Sequence, residues 1–408
     1  MLFVNAFHYF AVLCLLLQRT ETKIVEVPRE QNHTGPLSVK VGFYIESLGG
    51  LQPRQMTYDI DVYFRMSWRD WTMNHTEEKM VIKDLEKIRS MWTPDLYFPN
   101  ARKAEFQDVT QPNFVMYVEP DGTIAYSVRV TLTAACHMVL HRYPMDVQMC
   151  QLKISSYAYT KEEVDVTWFS AAPISRNPAI DMPEFNIDDV SAEYCDAKFD
   201  YSKTEHHVQT GEFSCLVAKI ELSRSVGYHL VQTFIPTALI VVISFVSFWI
   251  DRAAVPARIT LSFTTLLTVT TQAVGVRFSL PPVSYAKAID FWLGICLLFV
   301  FAGLLEYAVV NSFMRTSKRY SEMASGNRKL RSVKERGRVD SMSSAERAKL
   351  TGDSSPPAES GQLHTTVYSN LSEIYSQKAL RVDQLSRIVF PVLFAVFVIV
   401  YWITYGIF

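Results

Sequence analysis

The sequence predicts a two-part chain, an extracellular all-β sandwich followed by a transmembrane four-helix bundle. Three observations predict it. Of the 408 residues, 49% are hydrophobic and only 20% charged, more apolar than a soluble chain needs. The apolar weight is uneven: it gathers in uninterrupted runs after Gly227, while residues 21–225 read as an ordinary polar and aromatic domain. Strict two-residue alternation then dominates that first half, as in half-buried strands. Forty basic against 41 acidic residues leave a formal net charge of -1, which removes any global electrostatic case for nucleic acid.

Taken in order, residues 1–20, MLFVNAFHYFAVLCLLLQRT, form an apolar stretch of signal-peptide length, although no Lys or Arg precedes it and no small-x-small site follows. Removal of this segment is expected, with an extracellular domain over 21–225. Within that domain Ile60, Val62, Phe64 and Met66 share one strand face, and Asp59, Asp61, Tyr63 and Arg65 the other. Likewise Ile124, Tyr126, Val128, Val130 and Leu132 oppose Ser127, Arg129, Thr131 and Thr133. Arg65, Ser127 and Arg129 are therefore expected to point away from the core. Several such strands between Gly, Pro and Asp turns read as an antiparallel sandwich.

Cys14 leaves with the leader and Cys296 lies in an apolar run, so Cys136, Cys150, Cys195 and Cys215 remain for an oxidising compartment. Four cysteines allow three pairings; the sequence-local one joins Cys136 to Cys150 and Cys195 to Cys215. A loop of about 15 residues closed this way is worth roughly 3 kcal/mol. Without a C-x-x-C or a paired Cys/His spacing, no metal is expected.

Four runs, at about 227–250, 256–278, 286–310 and 388–408, are long enough to cross about 30 Å of hydrocarbon. The first three spans occupy 226–311 and the last 387–408. Between them, 312–386 opens with RTSKRYSEMASGNRKLRSVKERGR and lacks a sustained apolar period, so it is expected to be a disordered basic loop. Positive charge on this loop makes it cytoplasmic and leaves residues 21–225 outside. Asn32 and Asn74 open N-x-Thr sequons on the outer side, whereas Asn370 would go unused.

The second run carries its own chemistry. No Asp or Glu occurs between Arg252 and Ile289, while Arg258 and Arg277 stand at opposite ends of the helix. Helical spacing sets Thr260, Thr264, Leu267, Thr271 and Val274 on one stripe. Membrane hydroxyls need partners, and a water-filled axis shared by several subunits supplies them. Packing of a threonine-rich helix through backbone-bonded hydroxyls is the plainer alternative.

Cys136-x13-Cys150 with Tyr143-Pro144-Met145-Asp146 inside it, TPDLYFPN at 93–100, PARITLSFTTLLTVTTQ at 256–272 and LPPVSYAKAIDFW at 280–292 together resemble the Cys-loop pentameric ligand-gated ion channels. The likeness runs from about Ser38 to the C-terminus, apart from the cytoplasmic loop. The second cysteine pair and Pro256-Ala257-Arg258 resemble the anion-selective branch of glycine, GABA and invertebrate glutamate-gated chloride channels. SYAYT at 156–160 is nearest to the last of these.

The resemblance implies a homo- or hetero-pentamer of related subunits around a central chloride pore, embedded in lipid at the plasma membrane in a postsynaptic setting. It implies that Pro256 and Ala257 shape the inner mouth, where cation channels carry a glutamate, that Arg258 adds positive potential there, and that Leu267 is the gate. A small-molecule neurotransmitter would bind between subunits, under a loop bridged by Cys195–Cys215. Tyr97, Ser156, Tyr157, Thr210 and Phe213 fall on the principal face, and Arg65 and Ser127 on the complementary one. An arginine fork with hydroxyls suits a carboxylate, and aromatic rings suit an ammonium, so an amino acid such as glutamate, GABA or glycine is expected.

Two departures bear on the agonist. Where glutamate-gated members have a further arginine on the preceding strand, this chain has Glu46, which would repel a second carboxylate. The bridged loop also carries Glu205, His206 and His207. Pro144, Asp146 and Arg224 are expected to couple the two parts, with SLPPVSY at 279–285 as a stiff connector. In the resembled glutamate-gated channels a glycine at the place of Gly294 accompanies activation by macrocyclic lactones, so the resemblance implies that Gly294, lacking a Cβ, admits one between the third span and the first span of the next subunit; close helix packing is the alternative. No cofactor is expected. Competing readings are a receptor enzyme, for which no G-x-S-x-G, P-loop or H-E-x-x-H occurs, a non-conducting accessory subunit, and a chloride channel opened by acetylcholine or another amine.

Overall fold

The computed structural model describes residues 26–28, 35–204, 207–340 and 359–406; the leader, Asn32, Glu205 and His206 lie outside them. The chain divides into two compact units, one running to Met138 and from Val147 to Ser223, the other comprising Val139–Asp146 and Arg224 onward.

The first unit is the sandwich. Its larger sheet holds β1 (Leu37–Gln52), β2 (Thr57–Arg69), β3 (Met80–Ile82), β5 (Ala101–Phe106), β6 (Phe114–Val118), β7 (Thr123–Ala135), β9 (Val164–Trp168) and β10 (Ile174–Arg176). β4 (Leu96–Tyr97), β8 (Val147–Ser156), β11 (Phe185–Tyr194) and β14 (Cys215–Arg224) make the second sheet, and β12 (Lys198–Thr204) pairs with β13 (His207–Glu212) as a separate hairpin. The alternating pattern supplies the core: Val39, Val41, Ile60, Val62, Leu132, Ile154 and Leu216 are all buried. Disulfides join Cys136 to Cys150 and Cys195 to Cys215.

The second unit has four helices long and apolar enough to cross a membrane. Span one covers Gly227–Trp249. A widened turn at Leu230–Phe234 precedes Pro236 in it, consistent with the missing proline N–H. Span two is Val255–Phe278. The bundle core is aromatic: Phe234, Trp292 and Tyr401 pack at one level, Phe245, Phe299, Phe390 and Phe394 at another. Trp292 Nε1 donates to Thr237 Oγ1 at 2.8 Å.

Over 312–340 and 359–386 the chain is helical where disorder was expected, and residues 341–358 of that stretch lie outside the described residues. Span three runs as one helix from Ala288 to Asp340, and the helix of span four begins at Glu359. No apolar period is needed to sustain them, because Arg, Lys, Glu, Met and Ala have high helix propensity. The two helices also pair outside the apolar runs, through Phe313–Tyr375, Tyr320–Tyr368 and a hydrogen bond from Ser317 to the Ser372 carbonyl.

Candidate functional site

Arg65 and Ser127 are direct cross-strand partners on β2 and β7, and Arg65 is exposed. Among the described residues no side chain bonds its guanidinium. Arg129, one step along the same face, differs: its guanidinium grips both oxygens of Asp61. Those hydrogen bonds raise its pKa above the ordinary guanidinium value. One arginine of this face is thus neutralised, and the other is left for a ligand.

Glu46 does not stand across from Arg65; Gly42 does. Glu46 sits in a register shift between Ile45 and Ser47 and accepts from Asn177 at 3.4 Å. Its charge acts on Arg129.

In the other sheet, Tyr97 on β4 and Tyr157 just beyond β8 meet edge to face, with centroids 5.7 Å apart. Tyr157 is 76% exposed. The sequence reading missed Asp95, which holds this corner: it accepts from Ser156 Oγ at 2.9 Å and from the Ala158 N–H at 2.6 Å. Its only sequence signal was its place in TPDLYFPN. Ser156 is corrected accordingly, since its side chain is buried and its hydroxyl already donates to Asp95. On the hairpin Thr210 donates to Asp200 at 2.6 Å, and Phe213 packs near Phe199 at 6.2 Å.

Span two presents a clean stripe. Pro256, Ala257, Thr260, Thr264, Leu267, Thr271 and Val274 are all exposed, while Arg258, Ser262, Thr265 and Val269 on the other side are buried. Thr264, Thr268 and Thr271 each donate to a carbonyl of their own helix, which satisfies their protons and leaves oxygen lone pairs toward the exposed side. Arg277 is exposed at the far end.

Arg258 is a correction. One residue past Ala257 the helix has turned about 100°, and the side chain is fully buried. It donates to the Ile250 and Phe248 carbonyls at the end of span one and to Asp383 of span four. Its charge is matched inside the subunit and is not displayed beside Ala257.

Asp146 and Arg224 form a two-pronged pair, at 2.8 and 3.2 Å, with side-chain exposures of 2% and 4%. This is a buried bridge rather than a surface one. Pro144 stands in the same loop, behind a cis Tyr143–Pro144 bond. That loop also caps span three: the His141 and Tyr143 carbonyls accept from the Ala288 and Ile289 amides at 2.9 and 3.1 Å, amides that a helix start leaves without internal partners. Tyr285 of the connector accepts from the Leu140 N–H and stacks on His141 at 3.9 Å. Gly294 on span three is exposed, and a Cβ there would meet nothing within 4 Å.

A sandwich with a bridged hairpin and a four-span unit with one exposed, acid-free stripe define a receptor channel subunit, and the chain belongs to the neurotransmitter-gated ion-channel family. Residues 16–226 match the family's ligand-binding domain and residues 233–362 its transmembrane region. This is a family of ion channels, not of enzymes, and the chain is a multi-pass membrane protein. Among its relatives, a glutamate-gated chloride channel of Drosophila melanogaster is 33% identical over 398 residues, 91% of this chain and 85% of the relative. A glycine receptor subunit beta-type 4 of Caenorhabditis elegans is 42% identical over 282 residues, 69% of this chain and 58% of the relative.

Proposed function

We propose that the chain is a subunit of a pentameric chloride channel of the plasma membrane, postsynaptic in setting, opened by an extracellular amino acid. The observation that carries the reading is the pairing of an unneutralised Arg65 with Ser127 on one exposed sheet face. Such a fork binds a carboxylate in two bonds, and the Tyr97–Tyr157 corner of a neighbouring subunit offers ring faces to the ammonium. Thr210 and Phe213 on the bridged hairpin would close over it, while Ser156 supports the corner through Asp95 without touching ligand.

The exposed stripe of span two supports conduction. Five such helices would ring the axis with Pro256 and Ala257 at the inner mouth, threonine hydroxyls above, an apolar Leu267 constriction that closes by dewetting, and Arg277 at the outer end. The absence of acidic side chains from the stripe favours anions. Asp146, Arg224 and Pro144 would pass the binding signal to the head of span three through its capped amides. Lipid would surround the bundle, and the open groove at Gly294 would accept a macrocyclic lactone.

The test is expression of the single chain in oocytes with L-glutamate, GABA, glycine, acetylcholine and biogenic amines applied in turn. Current to one amino acid, reversing at the chloride potential, is expected. Current to an amine alone overturns the agonist class; silence to every compound at normal surface amount argues for an accessory subunit.

A further inference from the structure

The helical unit holds a histidine that the coupling pair does not use. His229 closes the first turn of span one and is half-buried. Its Nε2 lies 3.2 Å from the Tyr143 hydroxyl, and the two rings meet edge to face at 5.1 Å. Arg224 lies over the face of the same tyrosine, its Cζ 4.7 Å from the centroid. Tyr143 is therefore clamped between an imidazole and a guanidinium, and the guanidinium is in turn held by Asp146.

The charges that act on His229 are Arg224, at the end of β14, and Asp146, in the 139–146 loop. Tyr143 faces it from that loop and Tyr228 from its own helix, at 5.2 Å. Imidazole is the side chain whose unperturbed titration falls in the physiological range. A neutral ring can accept the Tyr143 proton or donate to its oxygen, whereas an imidazolium can only donate. Protonation also sets a second cation against a ring that already carries one, and Asp146 is already engaged by Arg224.

We propose that His229 is a proton-binding site through which extracellular acid reduces channel opening. The proton loosens the Arg224 and Asp146 hold on the loop. That loop caps the amides of span three, so its loosening weakens transmission to the helices. The proposal rests on the channel reading above.

The test uses the full chain carrying Leu267→Ser, so that an apolar gate made polar leaks chloride without agonist. The current should fall by about threefold between about pH 7.5 and about pH 5.5, with a midpoint in the imidazole range. His229→Gln and His229→Tyr should abolish the response, and His137→Gln, at an exposed residue before the 139–146 loop, should keep it. A flat profile, or a response that survives in either His229 variant, overturns the proposal. Should neither variant reach the surface, the parent midpoint decides: one outside about pH 5.5–7 overturns it, and one inside supports it. No chloride current at any pH would sink the channel reading, and the proton site with it.

Discussion

Arg258 of span two and Asp383 of span four form an ion pair at 2.9 Å with side-chain exposures of 0% and 2%. The other Asp383 oxygen is held by Arg387, also at 2.9 Å. Removing one member of a buried pair leaves an uncompensated charge and costs about 3–5 kcal/mol, whereas an apolar replacement of both members is often tolerated. Asp383→Ala should therefore cut surface receptor sharply at unchanged synthesis, and Arg258→Met with Asp383→Leu should recover much of it. Surface biotinylation measures both. A single variant at wild-type surface amount would show that the pair does not stabilise the bundle.

The exposed Ala257 tests the pore. A glutamate there would ring the inner mouth with carboxylates in a pentamer, so Ala257→Glu should lower the chloride-to-sodium permeability ratio by on the order of tenfold. Reversal potentials in chloride and sodium gradients read the change. An unmoved reversal potential would mean that this stripe does not line the ion path.

Arg65→Ala should raise the half-maximal agonist concentration by about 10- to 100-fold, matching about 1.5–3 kcal/mol for a charge-assisted bond. Arg65→Lys should recover only part, since an ammonium lacks the planar fork. Arg129→Ala makes a contrast: its charge is already held by Asp61, so its loss should reduce surface expression more than apparent affinity. Unchanged sensitivity in Arg65→Ala with normal surface expression would misplace the complementary face.

At Gly294 the space beside the helix is open, and a phenylalanine would fill it. A macrocyclic lactone at micromolar concentration should open or potentiate the wild-type channel. Gly294→Phe should abolish that response and leave the transmitter response intact. A lactone-insensitive wild-type channel that conducts to its transmitter would leave Gly294 no such role.

Much of this was written in local periodicity. Parity along β2 and β7 turned Arg65 and Ser127 outward together, and the helical repeat gathered Ala257, Thr260, Thr264, Leu267 and Thr271 on one exposed stripe. These follow from covalent geometry, in which side chains alternate every two residues in a strand and return every 3.6 in a helix. Four spans and the sandwich were legible for the same reason.

What only the tertiary structure decided is which group each outward or inward side chain meets. Arg258 carries the same charge in any reading, but its burial depends on Asp383, 125 residues away. Ser156 looked free until Asp95, 61 residues distant, took its hydroxyl. Glu46 falls in a bulge of β1 that no residue pattern announces, and its carboxylate meets Asn177, 131 residues away. The helices beyond the apolar runs are paired by aromatic contacts between spans three and four. A local repeat sets the direction of a side chain, but the neighbour that neutralises, buries or frees it comes from a distant part of the chain and is chosen by packing.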